Sequence, residues 1–128
     1  MYIRFVAIDP QREPDRPKGV FAAAYDILHR GDAPEYLQTE IRETLDWFVA
    51  NLPIPDRFAR TRRSHRSDSG ICWFKTDNND CIAQVRYLVY LVTECGIPVR
   101  ELRTEHPGYR IYEDGWQLVA EPFASTPS

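Results

Sequence analysis

Residues 99–121 read VRELRTEHPGYRIYEDGWQLVAE and contain the two turn motifs from which the topology is predicted. Its segment HPGY, residues 106–109, suits a type II turn, because proline presets the second position and glycine accepts a positive φ at the third. The segment EDGW, residues 113–116, suits a type I′ hairpin, in which both central residues need positive φ. The stretch therefore predicts an antiparallel meander of three strands, at residues 99–105, 109–113 and 116–121.

Two-residue turns would also set the register of this meander and hence its two faces. Ile111 would lie opposite Leu118, on an apolar face shared with Leu102, Tyr109 and Trp116. The reverse face would present guanidinium, phenol and amide groups that suit a carboxylate, a phosphate or a partner's acidic loop. These candidate binding residues are Arg103, Arg110, Tyr112 and Gln117. The alternative interpretation is a sheet face turned to water and laced with weak cross-strand pairs.

Upstream of the meander, hydrophobic spacing predicts two successive helices. The first covers residues 20–30, and Gly31 suits its left-handed C-cap. The second covers residues 33–52, with Asp32 as its cap. Its apolar stripe consists of Leu37, Ile41, Leu45, Phe48, Val49 and Leu52. Because the connection is so short, the two helices should form a helical hairpin.

Three more elements complete the predicted chain. Residues 2–8 and 71–75 are apolar and aromatic enough to form strands. A third helix is predicted over residues 78–95, with Asp77 as its cap and Gly96 at its end. The stretches 9–18 and 53–69 are predicted loops, and residues 124–128 a disordered tail.

These elements predict a single α+β domain over residues 1–123, in the chain order β-α-α-β-α-β-β-β. An apolar sheet face must be covered, so the expected architecture is a two-layer sandwich with the helices on one face. The sheet is expected to be mixed. Its carboxy-terminal meander is antiparallel, while the strand, helix and strand between residues 71 and 104 suggest a right-handed parallel crossover.

The predicted third helix is apolar on nearly all sides. Its core stripe is complete without Tyr87, Tyr90 and Leu91, which add apolar surface elsewhere on the helix. A helix of this kind is either buried all round or takes part in an intermolecular interface. These three residues are therefore further candidates for protein binding.

Charge is segregated along the chain. The net charge is −3, yet residues 57–75 contain six cationic residues against one aspartate. The cationic residues are Arg57, Arg60, Arg62, Arg63, Arg66 and Lys75. One interpretation is a loop that contacts the phosphates of nucleic acid. The other is a solvated loop whose arginines pair with acidic helix faces such as Glu40, Glu43 and Asp46.

Several functional classes are disfavoured by composition. The longest apolar run, residues 87–92, is too short to span a membrane, and the amino terminus lacks a secretory pattern. Three cysteines without a C-x-x-C pair indicate reduced thiols. No phosphate-cradling glycine motif and no helical pair of metal-binding histidines occurs, so we expect no cofactor, no metal and no catalytic residue.

We therefore expect a small, non-enzymatic binding or regulatory protein of the cytoplasm. Its partner would be another protein or a second copy of the chain, and no membrane would be involved. A nucleic-acid-associated protein that uses the arginine-rich loop at 57–66 is the alternative. A phosphodiesterase or nuclease built on His65 and His106 is a third interpretation.

Overall fold

The structure is a computed structural model that describes residues 1–8, 18–51 and 71–123. Its three helices are α1 (Val20–Arg30), α2 (Glu35–Asn51) and α3 (Asn79–Glu94). The six strands are β1 (Tyr2–Ala7), β2 (Lys18–Gly19), β3 (Ile71–Lys75), β4 (Val99–Thr104), β5 (Tyr109–Glu113) and β6 (Gln117–Glu121). The predicted α+β class and chain order are confirmed, and among the described residues the two-residue β2 is an addition. The predicted loop at 53–69, the tail and residues 9–17 of the predicted loop at 9–18 lie outside the described residues, while Lys18 belongs to β2.

The helical hairpin of α1 and α2 is confirmed. Gly31 ends α1 with φ +69°, and its N–H donates to the carbonyl of Ile27 at 3.1 Å. The rings of Phe21 and Phe48 meet edge to face, with their centroids 4.8 Å apart. The predicted stripe of α2 is buried at its first four positions, whereas Val49 is 64% exposed. The inclusion of Val49 in the core was therefore wrong.

The cap of α3 differs from the prediction. The Asn78 side chain, rather than that of Asp77, accepts a hydrogen bond from the backbone N–H of Cys81 at 3.1 Å. The carbonyl of Asn78 also accepts the first helical hydrogen bond, from the N–H of Ile82. Both residue types can cap a helix, so composition alone did not choose between neighbouring positions.

The strands form one sheet in the order β2-β1-β3-β6-β5, with β4 paired to β1. The resolved registers, β1–β2, β1–β3, β3–β6 and β5–β6, are all antiparallel, and the sheet is antiparallel rather than mixed. A carboxy-terminal meander is consistent with this arrangement. The predicted pairing of its first strand, β4, with β5 is not observed. β4 pairs with β1 instead of β5. Next to this pair, the N–H of Ile8, the residue after β1, donates to the carbonyl of Pro98, the residue before β4, at 3.1 Å.

The β5–β6 hairpin is confirmed, but its register is shifted. Glu113, rather than Ile111, lies opposite Leu118, and a bulge separates Arg110 from Tyr112. The shift arises because the Asp114 carboxylate accepts the N–H groups of Trp116 at 2.7 Å and Gln117 at 2.9 Å. The turn then closes between Asp114 and Gln117, and neither Asp114 nor Gly115 has positive φ. The predicted type I′ turn was therefore wrong.

The described residues group into two compact units, each made of separate chain segments. Of the described residues, one unit, the strand unit, contains 1–4, 71–82 and 102–123, and the other, the helix unit, contains 5–8, 18–51 and 83–101. In the strand unit the largest buried side chains include Trp73, Phe74 and Leu118. In the helix unit they include Ile27, Ile41 and Leu88. Residues of β1, α3 and β4 belong to both units. Within the part of the chain that the structure describes, no helix combines the length and the hydropathy of a membrane-spanning segment.

Candidate functional site

Of the predicted cationic loop, only Lys75 can be placed. Arg57, Arg60, Arg62, Arg63 and Arg66 lie outside the described residues. Lys75 ends β3, and its Nζ forms a 2.7 Å salt bridge with Glu113 on β5. Glu113 also accepts from Arg110 at 2.8 Å. The hydrogen bond from Lys75, with the charge of Arg110 adding to it, lowers the pKa of Glu113 below its ordinary value.

The predicted polar face of the sheet is only partly a surface. Arg103 is exposed on β4, and the side chain of Arg110 is 62% exposed on β5. Gln117, by contrast, is 1% exposed, so the prediction that it faces solvent was wrong. Both faces of β6 are buried, because Gln117, Leu118, Val119 and Ala120 are all buried, so alternation along this strand leaves neither face in solvent. Tyr109, predicted to lie on the apolar face, is 67% exposed.

Gln117 and Tyr112 instead form a polar cluster inside the strand unit. The thiol of Cys72 donates to Gln117 Oε1 at 3.1 Å, and the Tyr112 hydroxyl donates to Asp114 Oδ2 at 2.6 Å. Burial, followed by the hydrogen bond and charge of Asp114, raises the pKa of Tyr112 to about 12. One of these hydrogen bonds joins β3 to β6, and the other joins β5 to the turn that precedes β6.

The cysteines are free thiols, and two of them are held protonated. Cys81 is fully buried, and its burial, with the nearby Asp114 charge, raises its pKa to about 12. Burial also raises the pKa of Cys95. A thiol with a raised pKa contains little thiolate near neutral pH, so neither Cys81 nor Cys95 is an activated nucleophile.

An open depression of about 400 Å³ lies in the strand unit. Its lining is polar and consists of Asp77, Asn78, Asn79, Asp80 and Gly115. The Asn78 side chain already caps α3. Within residues 1–8, 18–51 and 71–123, no cluster of three or more histidine, cysteine or carboxylate side chains is arranged to hold a metal ion.

The predicted helix residues divide into one that is buried and two that are exposed. Leu91 is only 2% exposed, so its assignment to a binding surface was wrong, because the core stripe of α3 is wider than predicted. Tyr87 and Tyr90 are 40% and 55% exposed. Their rings are stacked at an interplanar angle of 21°, with centroids 6.2 Å apart. The helix unit thus displays a paired aromatic surface.

This aromatic pair is attached to α2. The hydroxyl of Tyr87 donates to Glu40 Oε2 at 3.0 Å. That hydrogen bond, followed by burial and by the charges of Glu40 and Glu43, raises the pKa of Tyr87. Tyr36, 68% exposed, lies one helical turn before Glu40, on the same side of α2. We call these five residues, Tyr36, Glu40, Glu43, Tyr87 and Tyr90, the tyrosine–glutamate face.

The sequence pattern predicted a binding surface only on the α3 half of this face. Tyr36, Glu40 and Glu43 have the i, i+4, i+7 spacing of one helix side, which was the available signal on α2. Glu40 and Tyr87 are 47 positions apart in the sequence, so no local pattern indicated that the two halves are in contact.

Comparisons with protein-family models, with curated proteins and with solved structures found no match to this chain.

Proposed function

We propose that this chain is a small, non-enzymatic binding or regulatory protein whose partner is another protein, docked on the tyrosine–glutamate face. The observation that carries the proposal is the exposed, stacked pair of Tyr87 and Tyr90, attached to α2 through Glu40. We further propose the cytoplasm as its compartment, which the three free thiols support.

Tyrosine is well suited to such a role. It is enriched among the residues that dominate binding energy, because one rigid ring supplies a large contact area and a polar tip. Binding normally costs free energy when side chains lose their rotamer freedom. The ring stack and the hydrogen bond to Glu40 already restrict Tyr87, so this cost is reduced in advance.

The sheet provides weaker support for docking. Gln117 is buried, while Tyr112 and Arg110 each bind a carboxylate of the chain itself. A partner at this surface would have to break these contacts or leave them in place and gain little. We therefore assign the docking surface to α2 and α3 of the helix unit.

Site-specific photo-crosslinking in the native cell tests this assignment. A photoreactive phenylalanine analogue replaces Tyr90 in one variant and Tyr109, the exposed tyrosine of β5, in a matched control. We expect a discrete protein adduct, identified by mass spectrometry, from position 90 and not from position 109. Introducing Tyr87→Ala into the variant with the photoreactive group at position 90 should reduce the yield of this adduct.

The other outcomes of this experiment also test the identity of the partner and the position of the docking surface. An adduct with twice the mass of the chain would make a second copy the partner. An adduct from position 109 alone would move docking to the sheet. The absence of an adduct from either position would contradict the proposed function.

A further inference from the structure

We infer that the tyrosine–glutamate face binds an arginine-bearing segment of the partner protein. This inference rests on the proposed function and specifies its partner by chemistry. The face combines two carboxylates with three exposed phenol rings, a set of groups that attracts a cation by charge and by the ring faces.

Among the described residues, no lysine or arginine is paired with the carboxylates of this face, Glu40 and Glu43. α2 carries four acidic residues and a single arginine, Arg42. Arg42 follows Glu40 by two positions, which places it about 200° around the helix. The negative charge of the face is therefore not neutralised from its own helix.

The cation of α3 nearest in sequence to Tyr87 is engaged elsewhere. Arg86 forms a 3.0 Å salt bridge with Glu101, and its guanidinium lies 5.4 Å from the centre of the Phe5 ring. It thus combines a carboxylate with an aromatic ring, as we propose for the incoming arginine. The tyrosine–glutamate face offers the same two kinds of group, and within residues 1–8, 18–51 and 71–123 no lysine or arginine forms a salt bridge with its carboxylates.

The arrangement favours arginine over lysine. A planar guanidinium can stack on a phenol ring while donating to carboxylate oxygens in its plane, whereas an ammonium acts as a point charge. The Tyr87 hydroxyl donates to Oε2 of Glu40 and so fixes the orientation of this carboxylate. Glu43 lies three residues later, one turn along the same helix, and supplies the second acceptor group. A phosphate-rich partner would meet like charge here.

The test uses the full chain and synthetic peptides. The first peptide carries arginines spaced by glycine and serine, and the second carries citrulline, which is neutral and nearly isosteric, at the same positions. Binding is followed in two-dimensional ¹⁵N NMR spectra. We expect the arginine peptide to shift the amides around Glu40, Glu43, Tyr87 and Tyr90, and the citrulline peptide to bind at least about fivefold more weakly.

Matched variants separate the face from the total charge. Glu40→Gln with Glu43→Gln should weaken binding of the arginine peptide by about five- to tenfold. Asp77→Asn with Glu105→Gln changes the net charge equally in the strand unit and should change affinity by less than about twofold. Tyr90→Ala should weaken binding by about two- to fivefold, and Tyr90→Phe should restore it, because the ring is the group required. The same spectra show whether each variant is folded.

The outcomes distinguish this inference from the proposed function. A partner adduct at position 90, with equal binding of the arginine and citrulline peptides, would overturn the inference and leave the function standing. Arginine-specific shifts confined to residues outside the face would also overturn it. Arginine-specific binding at the face without any cellular adduct would support the chemistry of the surface and contradict its use by a partner protein.

Discussion

Gly108 is a position where the backbone tolerates no side chain. Its φ is +136°, and an added Cβ would overlap the carbonyl oxygen of Glu121, with the Glu121 carbonyl carbon at 2.7 Å and Pro122 Cα at 2.9 Å. We expect Gly108→Ala to lower the free energy of unfolding by about 3 kcal/mol. Gly115→Ala is the matched control, because that glycine has no neighbour within 4 Å and no positive φ. Equal urea midpoints for the two variants would contradict this account.

Asp114 contributes to the pH dependence of stability. Burial opposes its ionisation, but hydrogen bonds from Tyr112, Trp116 and Gln117 outweigh this effect and lower its pKa below the ordinary value of 3.8. A carboxylate with a lowered folded-state pKa contributes stability above the ordinary value, and this contribution disappears as pH falls through the folded-state pKa. We expect urea unfolding to show stability declining below about pH 4, with a smaller decline in Asp114→Asn than in the exposed control Asp46→Asn. Parallel pH profiles for the two variants would be evidence against this role.

At the scale of elements, the cap of α3 provides a direct comparison of neighbouring residues. Asn78 accepts the N–H of Cys81, so Asn78→Ala leaves a first-turn donor without that acceptor. We expect it to lower the free energy of unfolding by about 1 kcal/mol, and Asp77→Ala to lower it by less than about 0.5 kcal/mol. Chemical denaturation monitored by circular dichroism measures both. A larger loss of unfolding free energy from Asp77→Ala than from Asn78→Ala would indicate that Asp77 is the capping residue.

For the whole molecule, the two compact units share covalent elements. β1, α3 and β4 each contribute residues to both units, so separate unfolding would require these elements to break at their middle. We therefore expect one cooperative transition. Hydrogen exchange at increasing urea should give the same free energy of opening for core amides of α2 and of β6. If the amides of α2 stayed protected in molecules whose β6 amides had already exchanged, this expectation would be contradicted.

Several features followed from the sequence by itself, because their causes are local. Hydrophobic spacing located all three helices, and the glycines at positions 31 and 96 ended two of them with positive φ. The positive φ of Gly108 was likewise predicted. Helical periodicity and glycine's lack of a Cβ act within a few residues, so they can be recognised along the chain.

Only the tertiary structure decided which strands pair and which side chains meet. β4 pairs with β1, almost a hundred residues away, and no local pattern distinguishes this partner from β5. The Asp114 carboxylate moved a turn by one residue, and the burial of β6 on both faces placed Gln117 inside. The contact of Tyr87 with Glu40 likewise depends on packing between two helices, since the energy that brings distant residues together depends on the whole folded chain.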